Sequence, residues 1–314
     1  MQVSTSKTAI DISQLIVKDK GIKLLDGLDL SIQAGTLLGI MDVDHTGAQA
    51  LMEVLSTTIS GYSGSVRFYE MEAKVYNEQL RKLIAYIPEH CILYEDLTVG
   101  EHLRLFASIR RVDLEQSLSK IGSLYEQLAK HQDKKAGQLS GGMRRKLQIC
   151  CAIIHQPNFV FLNKPTTGID PVARQELWGL LSTLREQGKT VVYSTEDMSE
   201  LRLSEKLLLL QHGKAAAIGP LQHIAAVIPF KVFILSAGNP AIMLAALRKC
   251  KAVIYSHCLG QVIRFAVSNY SVLPEVGYEI QIVNFEREII EQEPDLEDIY
   301  SYLKKIPAHE CYRN

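Results

Sequence analysis

The sequence predicts an α/β fold in which a mixed sheet carries an antiparallel β-subdomain and a helical subdomain, followed by a small α+β unit. Three observations carry this expectation. Residues 159–162 (Phe-Val-Phe-Leu) and 190–194 (Thr-Val-Val-Tyr-Ser) are short apolar or β-branched runs flanking an amphipathic stretch at 172–186, the pattern of buried parallel strands joined by a crossover helix. Residues 10–18 and 24–33 are strand-like, are broken at 18–21, and suggest an antiparallel pair; the alternation Leu28-Asp29-Leu30-Ser31-Ile32 gives the second strand one buried face. Beyond Pro229 the pattern restarts as short strands around a single helix.

The remaining elements follow in order. Gly35 opens an apolar strand at 36–41, which runs into the polar loop 42–47 and a helix-like segment at 48–55. Residues 98–133 have helical periodicity with charges on one face, as a helical insertion would. Segments 206–211 and 214–218 suggest a closing hairpin around His212-Gly213. In the last part, 231–235, 252–256 and 261–267 read as strands and 241–250 as a helix. With no internal repeat and no low-complexity linker, a short tether is expected between a first domain at 9–228 and an accessory α+β domain at 229–314.

Composition agrees with this division and removes several function classes. A chain of 314 residues exceeds one minimal domain and suits a large one plus a small one. Its 34 basic and 35 acidic residues leave a formal net charge of −1, which recommends neither nucleic acid nor an anionic membrane surface as a partner. No apolar stretch approaches the ~20 residues of a membrane-spanning helix. The first eight residues are polar with no signal-peptide core behind them, so a cytoplasmic location is expected. Cys91, Cys150, Cys151, Cys250, Cys258 and Cys311 lack Cys-x-x-Cys spacing, and no His-x-x-x-His pair occurs. No metal site is expected, and the thiols read as small buried apolar side chains.

The strongest motif is Leu139-Ser140-Gly141-Gly142-Met143-Arg144-Arg145-Lys146, a serine and two glycines opening a helix. Alone it is a simple helix cap. Its backbone amides would also suit a phosphate. It is followed by Phe159-Val160-Phe161-Leu162-Asn163-Lys164-Pro165-Thr166-Thr167-Gly168-Ile169-Asp170-Pro171, and in that order and spacing the chain resembles an ABC-transporter ATPase over about residues 10–228. The resemblance implies a P-loop NTPase-like ABC nucleotide-binding domain, with 139–146 as its signature motif, 159–164 as its Walker B strand and Asp170 in its D-loop.

Against the family pattern, the phosphate loop reads Asp42-Val43-Asp44-His45-Thr46-Gly47-Ala48-Gln49-Ala50, in which only Gly47 survives. Ala48 stands where a lysine would reach the β- and γ-phosphates, and Gln49 where a hydroxyl would bind magnesium. Asp42 and His45 replace glycines, and Asp42 and Asp44 add negative charge. A charge-assisted hydrogen bond is worth roughly 1.5–3 kcal/mol, so a loop without the lysine and with added repulsion is expected to be hostile to phosphate. Asn163 takes the place of the metal-directing aspartate and Lys164 that of the glutamate that polarises water. Glu196 replaces the switch histidine and Glu89 the Q-loop glutamine, and no adenine-stacking aromatic lies at 18–21. Loss of hydrolysis is the expectation. Two accounts of the new charges stand open: Lys164 pairs with Glu196 or Glu89 in place of metal and nucleotide, or all three are unrelated solvated charges.

In the family each ATP lies between one chain's phosphate loop and the other chain's signature motif. The retained Ser140, Gly141, Gly142 and Asp170 would therefore serve a partner's nucleotide, with ATP and Mg at a composite site supplied mainly by an intact ATP-binding subunit. Equally, the glycines could persist because the turn needs them. The segment Glu293-Pro294-Asp295-Leu296-Glu297-Asp298-Ile299-Tyr300 resembles the terminal helix of drug-export and ABC-2-type subunits, and is also an ordinary amphipathic helix. The resemblance implies a subunit docked on a membrane permease at the cytoplasmic face, through the surface around 89–97 and the following helix. The alternatives are a pseudo-ATPase scaffold or regulator without transport, and an ATPase with a non-standard site.

Overall fold

β1 (Thr8–Asp19) and β2 (Ile22–Gln33) pair antiparallel. They turn at Lys20 and Gly21, both at positive φ, as a tight hairpin with right-handed strand twist requires. β4 (Tyr62–Phe68) and β5 (Met71–Glu72) extend them into a four-stranded sheet of order β2-β1-β4-β5. The structure is a computed structural model and describes residues 7–90, 92–280 and 289–305.

The mixed sheet contains β3 (Leu37–Asp42), β6 (Ile84–Ile87), β7 (Phe159–Asn163), β8 (Thr190–Ser194), β9 (Lys206–Gln211) and β10 (Lys214–Gly219), in the order β10-β9-β3-β8-β7-β6. The pairs β3–β8, β3–β9, β7–β8 and β6–β7 are parallel. β3, β7 and β8 are buried along their whole length, which is why they read as continuous apolar runs. Helix α1 (Gly47–Leu55) contacts strands of both sheets, and one core gathers around it. Phe68 of the antiparallel sheet meets Phe159 of the mixed sheet edge to face, with centroids 5.0 Å apart.

α2 (Asn77–Arg81) precedes β6. The insertion forms α3 (Val99–Arg110), α4 (Leu114–Ile121) and α5 (Ser123–Ala129). α3 starts on a reciprocal capping box between Thr98 and Glu101. α6 (Gly141–Ile153) and α7 (Pro171–Glu186) join it over a second core on the mixed sheet, and the single turn α8 (Met198–Leu201) follows β8.

The chain divides into two compact units, residues 1–217 and 218–314. The division precedes the boundary read from the sequence at 228/229 because α9 (Leu221–Val227) contacts the terminal helix of the second unit. The second unit holds β11 (Lys231–Ser236), α10 (Pro240–Lys249), β12 (Val253–Leu259), β13 (Val262–Val267), α11 (Leu273–Glu279), β14 (Ile289–Gln292) and α12 (Leu296–Leu303). Its antiparallel sheet has the order β12-β13-β11-β14. One face packs Phe233, Leu235, Ile263 and Phe265, and the other Phe230, Tyr255 and Tyr302. Here Arg264 forks onto Asp298 of α12, with Nε 2.9 Å from Oδ1.

Two features differ from expectation. β4, β5, β6 and β14 had no periodic signal, being short or partly exposed. Cys150, Cys151 and Cys250 are buried, but Cys258 is exposed at the end of β12, its Sγ donating to Gly260 O at 3.0 Å. Cys91 and Cys311 lie outside the described residues. No helix among the described residues is long and apolar enough to cross a membrane.

Candidate functional site

β3 ends at Asp42 and α1 begins at Gly47, so the loop between them presents the unpaired amides of a helix start. The buried Asp42 carboxylate takes them. Its Oδ2 accepts from Gly47 N at 2.5 Å and Ala48 N at 2.9 Å, and its Oδ1 accepts from Asp44 N at 3.1 Å. Amides at a helix start are the groups that a bound phosphate would use. Asp42 therefore does more than add charge to the loop: it fills the cradle from within.

Around that core the other loop residues are engaged elsewhere. Asp44 Oδ2 accepts from His212 N at 2.5 Å and lies 3.2 Å from His212 Nδ1. His45 adopts φ +60°, a left-handed conformation that a glycine would take without strain. Gln49 turns along the helix, its Nε2 donating to Glu53 Oε1 at 2.9 Å. Ala48 is buried in the core beneath α1. A Cβ on Gly47 would lie 2.9 Å from Leu24 O, so the close packing of α1 on β2 is enough to require this glycine.

The parallel register of β7 and β8 sets Asn163 opposite Ser194. Ser194 Oγ donates to Asn163 Oδ1 at 2.6 Å and accepts from Lys164 N at 3.0 Å. Lys164, at φ +42°, projects its ammonium onto the Glu196 carboxylate, and His45 Nδ1 lies 3.3 Å from the same Oε1. The hydrogen bond from Lys164 lowers the Glu196 carboxyl below its ordinary value, slight burial opposes this, and the charges of Lys164 and His45 add to it. Of the partners open to Lys164, the structure selects Glu196 and not Glu89. Both members are partly exposed, at 31% and 52%, so solvent screens the pair.

Behind this pair the loop after β8 is fastened to α7. Asp197 caps α8 and accepts from Arg174 Nη1 at 2.8 Å. The buried Glu200 accepts from Thr195 Oγ1 at 2.5 Å and lies 3.5 Å from Arg174 Nε. Sequence reasoning found neither Arg174 nor Glu200, because their partners lie on other elements.

The signature segment builds the N-terminus of α6. Ser140 is exposed at the N-cap, and its Oγ accepts from Met143 N at 3.3 Å. A Cβ on Gly142 would come within 2.7 Å of Ala173 Cβ, and one on Gly141 within 3.0 Å of Gly168 O. Asp170 caps α7, accepting from Ala173 N at 3.0 Å and Val172 N at 3.1 Å, and these backbone bonds lower its carboxyl. One turn on, Arg145 donates to Pro88 O at 2.8 Å and to Glu89 O at 2.5 Å, tying α6 to the segment after β6. Lys146 joins Gln127 of α5 to Glu176 of α7. Arg145 and Lys146 were not singled out from the sequence as positioning residues, and only their unusual burial marks them.

The structure thus brings Asp42, Gly47, Ala48, Lys164, Glu196 and His45 to the β3, β7 and β8 ends, and sets Ser140, Gly141, Gly142 and Asp170 together where α6 meets α7. Glu89 is linked to the second group through its backbone.

Residues 25–167 match the ABC transporter family model. The chain is 30% identical over 226 residues to the probable multidrug ABC transporter ATP-binding protein YbhF of Escherichia coli K12, a match covering 70% of this chain and 39% of that protein. It therefore spans well under half the length of that relative. It is 31% identical over 248 residues to the Nod factor export ATP-binding protein I of Rhizobium sp. strain N33, covering 77% of this chain and 81% of that one. Among solved structures, an ATP-binding subunit of an ABC transporter superposes with a TM-score of 0.64 at 22% identity, over 70% of this chain and 92% of that one. A bacterial ABC transporter cassette solved as a dimer superposes with a TM-score of 0.61 at 20% identity, over 68% and 98%.

Proposed function

The chain belongs to the ABC transporter family, and we propose that it acts there as a non-catalytic ATP-binding-cassette subunit of an export-type transporter. Its signature face, Ser140, Gly141, Gly142 and Asp170, would complete the nucleotide site of an intact partner ATPase. The observation that carries this reading is the Asp42 carboxylate, which holds the amides of Gly47 and Ala48 that a phosphate would need.

The residues present do not fit Mg-ATP. Gln49 is turned to Glu53, the Asn163 oxygen is engaged by Ser194, and Lys164 is a cation held by Glu196 at the position of a general base. Neither a base at the position of Lys164 nor a metal-directing carboxylate at that of Asn163 is present to activate water. ATP and Mg would sit mainly on the partner's residues, with Ser140 reaching the γ-phosphate across the interface. Export is supported by the relative named for Nod factor export, beside one named for a multidrug ABC transporter, and with it docking on a permease at the cytoplasmic membrane face.

Two measurements test the proposal. Calorimetry of the isolated chain with millimolar Mg-ATP should show no binding, and saturable binding would refute the loss of the site. In a complex reconstituted with the cognate ATPase, Ser140→Arg should abolish the ATPase activity that the partner contributes at the shared site. Unchanged activity would refute completion in trans.

A further inference from the structure

The outer edge of the second unit's sheet opens into a cavity of about 490 Å³, lined chiefly by Arg248, Tyr255, Ser256, His257, Lys304 and Lys305. Three elements converge there: α10 supplies Arg248 from its last turn, the edge strand β12 supplies residues 255–257, and the chain just past α12 supplies the two lysines. None of the lining side chains is a carboxylate. Lys305 Nζ donates to Ile254 O at 2.6 Å, and Lys304 Nζ lies 4.8 Å from the Tyr300 ring centroid, so among the described residues neither charge is spent on an acid.

Cations near helix C-termini also have an ordinary role, which is to offset the helix dipole. Magnitudes decide between the two. The ends of α10 and α12 present about half a negative charge each, about one in all, so three fixed cations leave an excess of about two. A donor-lined cavity with an excess of about two positive charges matches a phosphate monoester, which carries about −1.5 to −2 at neutral pH, better than a monocarboxylate. The volume falls in the range of small-molecule sites, roughly 300–1,000 Å³.

We propose that this cavity binds a small phosphorylated molecule, its phosphoryl group seated among Arg248, Lys304 and Lys305. The site is independent of the cassette's own nucleotide position and does not depend on the reading given above for it.

Calorimetry of the full chain with glycerol phosphate, a small dianionic monoester, tests the proposal. We expect saturable binding in the millimolar range or tighter, unaffected by Ser140→Arg. It should weaken roughly tenfold or more in the double variant Arg248→Gln with Lys304→Gln. Both side chains are exposed, so that variant should melt like the parent. No saturable binding, or binding retained in the double variant, would overturn the proposal. So would Arg248-dependent sedimentation with phosphatidic-acid vesicles in the absence of glycerol phosphate binding, which would identify a lipid headgroup in place of a soluble ligand.

Discussion

The backbone amide of Ala48 donates to the side chain of Asp42 at 2.9 Å, so the loop that in its family receives a phosphate here receives a carboxylate from its own chain. A buried acid satisfied by three amides is stabilising, and it makes the loop complete without nucleotide. Replacing it removes the cap from the start of α1. We expect Asp42→Ala to lower stability by about 2 kcal/mol, and Asp42→Asn, which keeps one acceptor, by less. Denaturant unfolding of the two variants checks the order.

A single restoration should fail for the same reason. With Asp42 in place, Ala48→Lys supplies a cation to amides that are already occupied, and we expect no Mg-ATP binding at millimolar concentration. Binding that returns with Ala48→Lys alone, measured by calorimetry, would refute the role assigned to Asp42.

The ion pair of Lys164 and Glu196 is predicted to matter little for stability. Because both side chains reach solvent, Lys164→Ala should cost less than ~1 kcal/mol, with the effect shrinking as salt rises. Glu196 has a lowered folded value, so its contribution is present above the ordinary carboxylate value of 4.5 and is lost as pH falls through the lowered one. Thermal melts at two salt concentrations and at pH 7 and below test this. A cost well above ~1 kcal/mol, or one that does not shrink as salt rises, would overturn this reading.

Gly142 separates the packing role of the signature turn from any role in trans. A methyl group there meets Ala173 at 2.7 Å, so Gly142→Ala should destabilise the isolated chain by about 1–3 kcal/mol. Ser140→Ala should cost about 1 kcal/mol through its cap alone. Thermal unfolding of the isolated chain measures both, with no partner present.

In the second unit, Arg264 is the countercharge of the fully buried Asp298. Arg264→Met should cost about 3–5 kcal/mol, part of it recovered when Asp298→Asn removes the orphaned charge. Asp295 beside it is pushed up to about 6, first by burial and also by the neighbouring Asp298. A raised acid stabilises the fold below its ordinary value of 3.8, and that contribution is lost as pH rises through about 6. Partial exposure limits the effect to ~1 kcal/mol or less. Asp295→Asn should flatten the pH dependence between those values, as read from hydrogen exchange of β13.

Much of the fold was legible because its strands are buried on both faces and its helices on one. β3, β7 and β8 appear as apolar runs, and α7 as a helical period between two of them. β6 and β14, four residues each, are too short for any period to register. The candidate site was legible only as an expectation: the family resemblance gives roles to the positions of Ala48, Gln49, Asn163 and Lys164, and these residue types differ from its pattern.

What replaced that chemistry depended on distances the chain order does not contain. Residue types alone set the charge of Asp42, Lys164 and Glu196. They did not reveal that Asp42 folds inward onto the loop amides or that Lys164 chooses Glu196 over Glu89. They also left open whether packing alone could require Gly141 and Gly142, which Gly168 and Ala173 decide. The physical reason is common to all three. Periodicity and residue type report an element's burial and its local chemistry, whereas partner choice depends on which strand ends the parallel sheet sets side by side.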